Sequence, residues 1–551
     1  PASVPAGHKD MVMALARRAT LCAALMAAPA GAVVYRAATV QFTMLKGSGG
    51  STEPEVAKAA DLALYGQYVE AAAEQRVQII VFPEEILFGY RGYSNMLRSR
   101  KGMEAFGETV PTELGSVPCD GPGDEKVSAM KHLSCLARKH NITIVANLLD
   151  VQPCTVTTPR WNSLCQDGRS QFNANVAFDS SGKHLATYHK SHLAGTYPWL
   201  DQPAHPDVVK FTAPFGVTFG TFICYDLMFH EPKQSLVEMG ITDFVYPTFW
   251  GEDWYSPEYP LTPQMMHAGF SRSAGVNFLA ANGMQYGSGI FAKGEPVSVN
   301  APLGGDSRPS MMMVADLGSG EDLGYSKFVT TVWLPSPPGT ALVPSLPMGR
   351  PYPECKPPSC TAFQLMAGGR LNISASLPGF VSCTLTATAA AAGGWYALRA
   401  EFVDPTSFST CPSWTARQLP SNSAQCFPDF PVSSFCKVHP CSDKSCRPSH
   451  LEQPSEGRFS KVTLEAAFQE QLDIARLEPY ASTGRATLVP VSTVDFEVLR
   501  TGRSASARAT WRNAKAEWLY AMGVGGQNRT WFRAPSFPTG SAESSAEVIV
   551  V

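Results

Sequence analysis

Between residues 33 and 317, the spacing of apolar residues along the chain changes many times. Runs of alternating or continuous apolar and β-branched residues predict strands, and runs with an apolar residue every three or four positions predict helices. The predicted strands cover 34–42, 79–82, 142–149, 216–224, 243–249, 277–281, 288–292 and 310–317. The predicted helices cover 52–76, 125–140, 234–239 and 264–274, and residues 175–190 form a hairpin that turns at Ser181-Gly182. Alternation of this kind predicts an α/β fold built of layers.

The strand predicted at 216–224 ends in Cys224, and Pro232 and the helix at 234–239 follow. The carboxyl end of a parallel strand is where α/β proteins place reactive groups. A thiol there can meet a substrate, and a neighbouring positive charge favours its thiolate form. Taken alone, the position favours a buried structural cysteine, so the chemistry depends on what else lies nearby.

Two other strand ends carry groups that would activate such a thiol. The strand at 79–82 runs into Pro83, Glu84 and Glu85, and the hairpin ends in Lys190. A carboxylate can accept the thiol proton, while an ammonium stabilises an oxyanion. Strand ends can converge at one edge of a sheet, so these residues predict amide cleavage through a thioester. The chemistry alone does not choose between Glu84 and Glu85.

The residues around these positions resemble the nitrilase superfamily, whose catalytic triad is Glu-Lys-Cys. The resemblance rests on strand-Pro-Glu at 79–84, Tyr-His-Lys at 188–190 and Gly-Thr-Phe-Ile-Cys-Tyr-Asp-Leu-Met-Phe-His-Glu-Pro at 220–232, and it covers roughly residues 35–300. More narrowly, the chain resembles the vanin and biotinidase branch. The resemblance implies an αββα sandwich in which Glu84 is the general base, Lys190 stabilises the oxyanion and Cys224 is the nucleophile. The backbone N–H of Tyr225 is expected to be a second oxyanion donor, and neither a metal nor an organic cofactor is implied.

For this branch the resemblance implies hydrolysis of a linear amide that is not a peptide bond. Pantetheine, which would give pantothenate and cysteamine, is the first expectation, because the motifs at Lys190 and Cys224 are closer to those of vanins. A biotinyl amide such as biocytin is the alternative. The aromatic residues Trp250, Trp254 and Tyr255 are candidates for a wall of the acyl pocket, so a third amide also stays open. Their alternative role is in a packed surface loop.

A catalytically inactive binding protein on the same fold is the hypothesis from another class. An absent triad residue would favour it, and all three are present. The chain does depart from the superfamily in one place, since members usually carry a second glutamate a few residues after the lysine. Residues 191–200 contain no carboxylate before Asp201. Either another group orients Lys190 and the substrate, or catalysis is altered.

A cysteine–histidine pair of the papain type would instead need a histidine as base. Four histidines lie near the proposed chemistry: His189, His192, His230 and His267. None has a signature of its own, so packing or hydrogen-bonding roles are expected for them.

Composition bounds the remaining function classes. A chain of 551 residues predicts two domains, and 44% hydrophobic with 17% charged residues is ordinary for a protein with a real core. A net charge of −3 without a basic run argues against a nucleic-acid partner. The expected partner is a small-molecule amide substrate.

Four segments are predicted along the chain. They are an N-terminal extension with a signal peptide at 1–32, the catalytic domain at 33–334, a Pro-rich linker at 335–354 and a cysteine-rich C-terminal domain at 355–551. The last segment contains strand-like pieces at 380–386 and 395–402. The resemblance implies that it is a second, smaller, mostly β domain.

The cysteines point to an oxidising compartment. Apart from Cys22 and Cys224, the fourteen include an even set of twelve in two crowded regions, which predicts disulfides and one unpaired thiol. A zinc site with His439 and the cysteines at 436, 441 and 446 is the alternative, although its spacing matches no standard zinc pattern.

The N-terminal residues also indicate an oxidising compartment. Two arginines precede a short apolar run and an Ala-Gly-Ala cleavage site at 30–32, as in a secretory signal peptide. A twin-arginine signal and an Ala-rich disordered tail are the alternatives. Asn141, Asn372 and Asn528 are candidate glycosylation acceptors, and no later run has the length and apolarity of a membrane span. We expect a protein that is secreted or resides in the lumen of the secretory pathway.

Overall fold

The computed structural model describes these residues of the chain: 33–42, 53–88, 100–122, 126–155, 167–193, 200–203, 206–229, 231–250, 263–283, 287–299, 310–320, 323–334, 355–402, 433–441, 444–446, 458–468, 474–482, 494–501, 504–512 and 521–528. Its five α-helices are α1 (Pro54–Glu74), α2 (Arg100–Glu104), α3 (Ala129–His140), α4 (Lys233–Glu238) and α5 (Pro263–Ala274). Two 3₁₀ turns span Pro118–Asp120 and Cys224–Met228.

The first sheet contains seven strands: β1 (Val33–Gln41), β2 (Ile79–Val81), β3 (Thr143–Pro153), β4 (Arg169–Phe178), β5 (His184–His189), β12 (Ser310–Ser319) and β13 (Ser326–Leu334). They lie in the order β13-β12-β1-β2-β3-β4-β5. The central strands β1, β2 and β3 are parallel, and the other neighbours are antiparallel. Two antiparallel steps from β3 to β5 restore the direction, so β2 and β5 end at the same edge.

The second sheet contains six strands: β6 (Val209–Thr212), β7 (Thr218–Thr221), β8 (Asp243–Thr248), β9 (Asn277–Asn282), β10 (Gly289–Ala292) and β11 (Glu295–Val299). They lie in the order β11-β10-β9-β8-β7-β6, with β7, β8 and β9 parallel. The strands predicted from the sequence do not include β6, β11 or β13. All three are edge strands without a continuous buried face. β6 and β11 have only four and five residues, too few for a clear period, whereas β13 does carry a β-branched and aromatic run, Phe-Val-Thr-Thr-Val-Trp-Leu.

Successive side chains along a strand point to opposite faces of its sheet and pack in different hydrophobic clusters. In the first sheet, Ile80 packs in the cluster formed with α1 and α3, while Ile79 and Val81 face the second sheet. In the second sheet, Phe244 packs in the cluster formed with α4 and α5, while Val245 faces the first sheet. The layers are therefore helix, sheet, sheet, helix. The predicted αββα sandwich is confirmed.

Helix α3 begins four residues later than the pattern predicts. The side chain of Ser128 caps it by accepting a hydrogen bond from the N–H of Lys131 at 3.1 Å. The carboxylate of Glu108 accepts a second one from the N–H of Ala129 at 2.8 Å. Capping groups of this kind satisfy N–H groups that have no partner inside a helix, which sets the start of the helix.

Two hairpins turn through loops of the same form. The N–H of Gly182 donates to the carbonyl of Asp179 between β4 and β5, and the N–H of Gly216 donates to that of Ala213 between β6 and β7, each at 2.9 Å. The two glycines have φ values of 84° and 88°, in the left-handed region that favours glycine. The predicted turn at Ser181-Gly182 is confirmed.

We expect Gly182→Ala to destabilise the fold more than Gly216→Ala. Both substitutions force alanine into the left-handed region, at a cost of about 1–2 kcal/mol. A Cβ at 182 would lie 2.6 Å from the carbonyl oxygen of Ser134, whereas a Cβ at 216 would meet nothing within 4 Å. That contact should add about 1–3 kcal/mol. Urea unfolding of the two variants measures the difference, and equal losses would show that the close approach to Ser134 has no effect.

The described residues from 355 onward include two five-stranded antiparallel sheets. The strands are β14 (Cys360–Leu365), β15 (Arg370–Leu377), β16 (Val381–Ala391), β17 (Gly393–Phe402), β18 (Ser433–Cys441), β19 (Arg458–Phe468), β20 (Ile474–Ser482), β21 (Val494–Thr501), β22 (Ser504–Arg512) and β23 (Ala521–Asn528). Their orders are β14-β17-β18-β23-β20 and β15-β16-β19-β22-β21. Leu385, Leu398 and Val438 lie in one core that joins the two sheets. The predicted β character of this region is confirmed.

This β region contacts the second helix layer. Arg272 of α5 donates a hydrogen bond to the carbonyl of Val494 at 2.9 Å, and Phe435 packs in the α4–α5 core. The linker predicted at 335–354 and the extension at 1–32 lie outside the described residues. The boundaries of the four predicted segments therefore stay predictions.

The described cysteines are paired as the sequence predicts, with Cys224 as the free thiol among them. The disulfides are Cys119–Cys135, Cys355–Cys360, Cys383–Cys436 and Cys441–Cys446, and Cys154 is also disulfide-bonded. No helix in the described part of the chain is long and apolar enough to cross a membrane.

Candidate active site

The three predicted catalytic residues follow three strands whose ends meet. Glu84 follows β2, Lys190 comes directly after β5, and Cys224 follows β7. Glu84 and Lys190 therefore extend from the first sheet and Cys224 from the second. The expectation of one shared sheet edge was wrong in this respect, because a strand pattern does not say which sheet a strand joins.

Glu84 and Lys190 form a buried ion pair. The Nζ of Lys190 lies 2.5 Å from the Oε1 of Glu84, and the two side chains are 3% and 1% exposed. The Nδ2 of Asn173 donates to the same Oε1 at 2.8 Å. Among the described residues, the buried Oε2 of Glu84 has no hydrogen-bond partner. The Oε1 atom thus accepts from both Lys190 and Asn173, and the Oε2 atom is available to accept a proton.

The charge of Lys190 is stabilised by its neighbours. Burial disfavours the ammonium, but Glu84, Cys224 and Glu85 outweigh this effect and hold the pKa of Lys190 above its ordinary value. Lys190 therefore stays protonated at any ordinary pH. A permanent ammonium at this position can stabilise a developing negative charge.

Cys224 carries a thiol that is protonated at neutral pH. Burial, together with the charge of Glu84, raises the pKa of Cys224 to about 12, although Lys190, Thr248 and Phe249 act in the opposite direction. The sequence had allowed for a thiolate produced by nearby positive charge. The positive charge is present, but it is paired with Glu84 in a buried site. A general base is therefore needed.

The turn that carries Cys224 has an unusual backbone. Cys224 has a φ of 46° and opens the 3₁₀ turn, and Glu85 has a φ of 62°. Such values in non-glycine residues are uncommon and are held in place only by surrounding contacts. One of these contacts comes from the hydroxyl of Tyr246, which donates to the carbonyl of Cys224 at 2.6 Å.

Asp226 connects the turn of Cys224 with the segment of Lys190. Its carboxylate accepts hydrogen bonds from the N–H of Ile223 at 3.0 Å, the hydroxyl of Tyr188 at 2.7 Å and the N–H of His192 at 2.8 Å. The Nδ1 of His192 lies 2.8 Å from the same carboxylate. Asp226 belongs to the motif at 220–232, but nothing in the sequence assigns it a role. Its contact with Tyr188 joins residues 38 positions apart, and no local pattern indicates it.

Residues 36–290 match the sequence profile of carbon-nitrogen hydrolases. These residues form a carbon-nitrogen hydrolase domain. The predicted membership of the nitrilase superfamily is confirmed over this segment, and relatives from both groups of the predicted branch support the narrower assignment.

Two curated relatives illustrate that branch. A biotinidase from Takifugu rubripes is 39% identical over 230 residues, which are 40% of this chain and 43% of that protein. A pantetheinase from Mus musculus is 36% identical over 239 residues, which are 41% of this chain and 43% of that protein. The chain thus matches less than half of the length of these relatives. Among solved structures, an amidase from Nesterenkonia sp. is 19% identical with a TM-score of 0.34, covering 51% of this chain and 90% of that one.

The histidines of the carbon-nitrogen hydrolase domain have other contacts. His189 lies 2.9 Å from a carboxylate oxygen of Asp150, and the ring of His192 stacks on Phe229 at 3.6 Å. Burial lowers the pKa of His267 to about 3, so this ring among aromatic side chains is neutral. His230 lies outside the described residues. Among the described residues, the charge of Glu84 raises the pKa of Cys224, whereas none of these three histidines is among the groups that act on it.

Trp250 follows β8 at the start of the predicted substrate loop. It is 9% exposed, and its backbone N–H and carbonyl bond to the side-chain amide of Asn282 at 2.9 and 2.8 Å. Trp254 and Tyr255 lie outside the described residues, as do residues 194–199 after Lys190. The role of the three aromatic residues in binding substrate stays a prediction.

The alternative zinc site in the C-terminal region contains a disulfide. His439, Cys441 and Cys446 have potential ligand atoms within 4.8 Å of one another. The two sulfurs are bonded to each other, and the Nε2 of His439 accepts a hydrogen bond from Arg399 at 3.0 Å. A disulfide sulfur is not the thiolate ligand that zinc requires. The arrangement favours the disulfide interpretation.

The candidate glycosylation positions lie at the surface where they are described. Asn141, which follows α3 and has a left-handed backbone conformation, is exposed. Asn372 is exposed on the edge strand β15. Asn528 is the last residue of β23. Glycosylation at these positions stays a prediction.

We expect Asp226→Asn to lower both stability and activity. The amide keeps one acceptor oxygen but turns an NH₂ group toward donors, so the free energy of unfolding should fall by about 1–3 kcal/mol. The relative position of Cys224 and Lys190 should loosen, lowering kcat for amide hydrolysis. Asp316→Asn is the control, since Asp316 pairs with Arg36 at 2.6 Å on strands away from the site. A loss of stability with unchanged kcat would show that Asp226 only supports the fold.

Proposed function

We propose that this chain is an amidase that hydrolyses a linear, non-peptide carbon-nitrogen bond through a thioester on Cys224. The observation that carries this proposal is the arrangement of Glu84, Lys190 and Cys224. A protonated thiol, an ammonium and a carboxylate with one available oxygen are buried together where three strands end. Each group supplies one requirement of acyl transfer: nucleophile, oxyanion partner and base.

The first half of the reaction forms the thioester. The Oε2 of Glu84 takes the proton of Cys224 as Sγ attacks the carbonyl carbon, and the carbonyl oxygen becomes an oxyanion. The Nζ of Lys190 and the N–H of Tyr225 stabilise that oxyanion. When it collapses, the C–N bond breaks and Glu84 passes its proton to the departing amine. The acyl group remains on Sγ.

The second half of the reaction releases the acid. Glu84, now ionised again, takes a proton from a water molecule that attacks the thioester carbon. The same donors stabilise the second oxyanion. Its collapse breaks the C–S bond, and the proton on Glu84 returns to Cys224. The carboxylic acid leaves and the site is restored.

Pantetheine is our proposed substrate, cleaved to pantothenate and cysteamine. The motifs around Lys190 and Cys224 favour it, and a pantetheinase from Mus musculus is 36% identical over 239 residues. Biotinyl amides such as biocytin are the second candidate, favoured by a biotinidase from Takifugu rubripes that is 39% identical over 230 residues.

Amine release from pantetheine and from biocytin, assayed side by side with Cys224→Ala, tests both the proposed mechanism and the proposed substrate. Release from pantetheine alone, abolished by the substitution, is expected. Release from biocytin alone would replace the substrate but keep the mechanism. If neither amide is cleaved, labelling of the native protein with iodoacetamide decides. A thiol that labels in the wild type and not in Cys224→Ala keeps an amidase for a third amide, and an unreactive thiol would favour an inactive binding protein.

We also infer that the protein folds in an oxidising compartment and is secreted or lumenal. Four disulfides among the described residues support this, because such pairs persist where thiols are not kept reduced. The exposed Asn141 and Asn372 are compatible with glycosylation there.

A further inference from the structure

Three asparagines lie inside the carbon-nitrogen hydrolase domain on neighbouring strands. Asn147 is on β3, and Asn173 and Asn175 are on β4. Their exposed fractions are 0%, 1% and 2%. A buried amide is costly unless its polar atoms are hydrogen-bonded, so the partners of these side chains indicate what they do.

The hydrogen bonds of two of them form a directed chain. The N–H of Glu85 donates to the Oδ1 of Asn147 at 2.8 Å. The Nδ2 of Asn147 donates to the Oδ1 of Asn173 at 2.7 Å, and the Nδ2 of Asn173 donates to the Oε1 of Glu84 at 2.8 Å. This chain of hydrogen bonds starts at Glu85 and ends at Glu84, which are adjacent residues of one turn.

The direction of this chain is determined by chemistry at both ends. A backbone N–H can only donate, so the atom of Asn147 that faces Glu85 must be the oxygen. Its NH₂ group then faces Asn173, which must accept with its own oxygen. Asn173 is left with its NH₂ group toward Glu84, and an ionised carboxylate can only accept. Neither amide can flip without placing two donors or two acceptors together.

We propose that Asn147 and Asn173 are positioning residues that orient the carboxylate of Glu84 for its role as the base. This rests on the proposed function of Glu84. Asn173 and Lys190 together occupy Oε1, so the proton from Cys224 goes to Oε2. When Glu84 is protonated, Lys190 is released toward the oxyanion, whereas the neutral amide of Asn173 keeps holding Oε1. The catalytic carboxyl therefore does not depend on Lys190 alone for its position.

The test compares Asn173→Ala with Asn175→Ala in the full chain. Asn175 has the same chemistry and burial and accepts from the Nδ2 of Asn147 at 3.1 Å, but its own Nδ2 donates to Thr221 at 3.0 Å and not to Glu84. Loss of this hydrogen bond leaves the carboxylate less firmly oriented for proton transfer, so Asn173→Ala should lower kcat about 10- to 100-fold with little change in KM. It should also move the acid limb of the pH profile to higher pH, because the carboxylate loses a donor that favours its ionised form.

Among the described residues, the charged and titratable groups that act on Glu84 are Lys190, Cys224 and Tyr246, Glu85 acts on Lys190, and all four remain in these variants. Asn147→Ala is a further variant, which adds no charge and in which the side chain no longer accepts from Glu85 or donates to Asn173. It should shift the acid limb in the same direction as Asn173→Ala, and it provides the measurement if Asn173→Ala does not fold.

Alkylation of Cys224 by iodoacetamide, measured against pH in the same variants, separates this inference from the proposed function. A shifted acid limb of alkylation in Asn173→Ala supports the positioning role even if no amide is hydrolysed by the wild type. Unshifted limbs in both Asn173→Ala and Asn147→Ala, or an equal shift in Asn175→Ala, would overturn it and leave the asparagines a packing role.

Discussion

Glu84→Gln is expected to lower kcat for amide hydrolysis by about 10²–10⁴-fold, which is the usual contribution of a positioned general base. The same substitution should make Cys224 easier to ionise. The charge of Glu84 is, after burial, the main cause that raises the pKa of Cys224 to about 12, and its removal leaves burial as the main effect that opposes Lys190. The pKa of Cys224 should therefore fall as activity is lost. A lower pKa of Cys224 together with a lower kcat is expected only if Glu84 is the general base and its charge also disfavours the thiolate.

Glu85→Gln is the matched control, because Glu85 is the adjacent carboxylate on the same turn and is also buried. Its variant should retain most of the activity, which would resolve the choice that the sequence left open. The ultraviolet absorbance of the thiolate, titrated in both variants, reports the pKa of Cys224, and single-turnover kinetics report the chemical step. Full activity in Glu84→Gln would contradict the assignment of the base.

Lys190→Met is expected to abolish hydrolysis and to lower the free energy of unfolding by about 3–5 kcal/mol. The substitution leaves the carboxylate of Glu84 buried without the ammonium that lies 2.5 Å away. An isolated buried charge is costly, and it becomes neutral when it binds a proton. The folded variant would then bind a proton that the unfolded chain releases, so its loss of stability should be smaller at acid pH than at neutral pH.

The double variant Lys190→Met with Glu84→Gln separates this cause from lost packing. With no charge left at either position, much of the stability should return, although activity should not. Urea unfolding of the wild type, the two single variants and the double variant completes the cycle. A double variant that is no more stable than Lys190→Met would show that the cost lies in the packing of the lysine side chain.

Much of the site could be predicted because strand ends are local features. A strand-Pro-Glu run, a hairpin that ends in Tyr-His-Lys, and a strand that ends in Cys224 each show in a few adjacent residues. The αββα layering then followed from resemblance. The pairing state of the described cysteines was predictable for a similar reason, since number and crowding are properties of the chain. Edge strands β6 and β11 were missed because they are short and have no continuous buried face, whereas the missed β13 does carry a β-branched run.

Only the tertiary structure decided how these groups act on one another. The chain does not show that Glu84 and Lys190 extend from one sheet and Cys224 from the other. It also does not show that the charge of Lys190 is paired with Glu84, so that the thiol of Cys224 stays protonated. The roles of Asp226 and Asn173 were likewise hidden, because their partners are up to 89 residues away. The sequence by itself determined which reactive groups the site contains, since these are fixed by residue type and local pattern. Burial and long-range hydrogen bonds, which exist only in the folded chain, decided their protonation and their orientation.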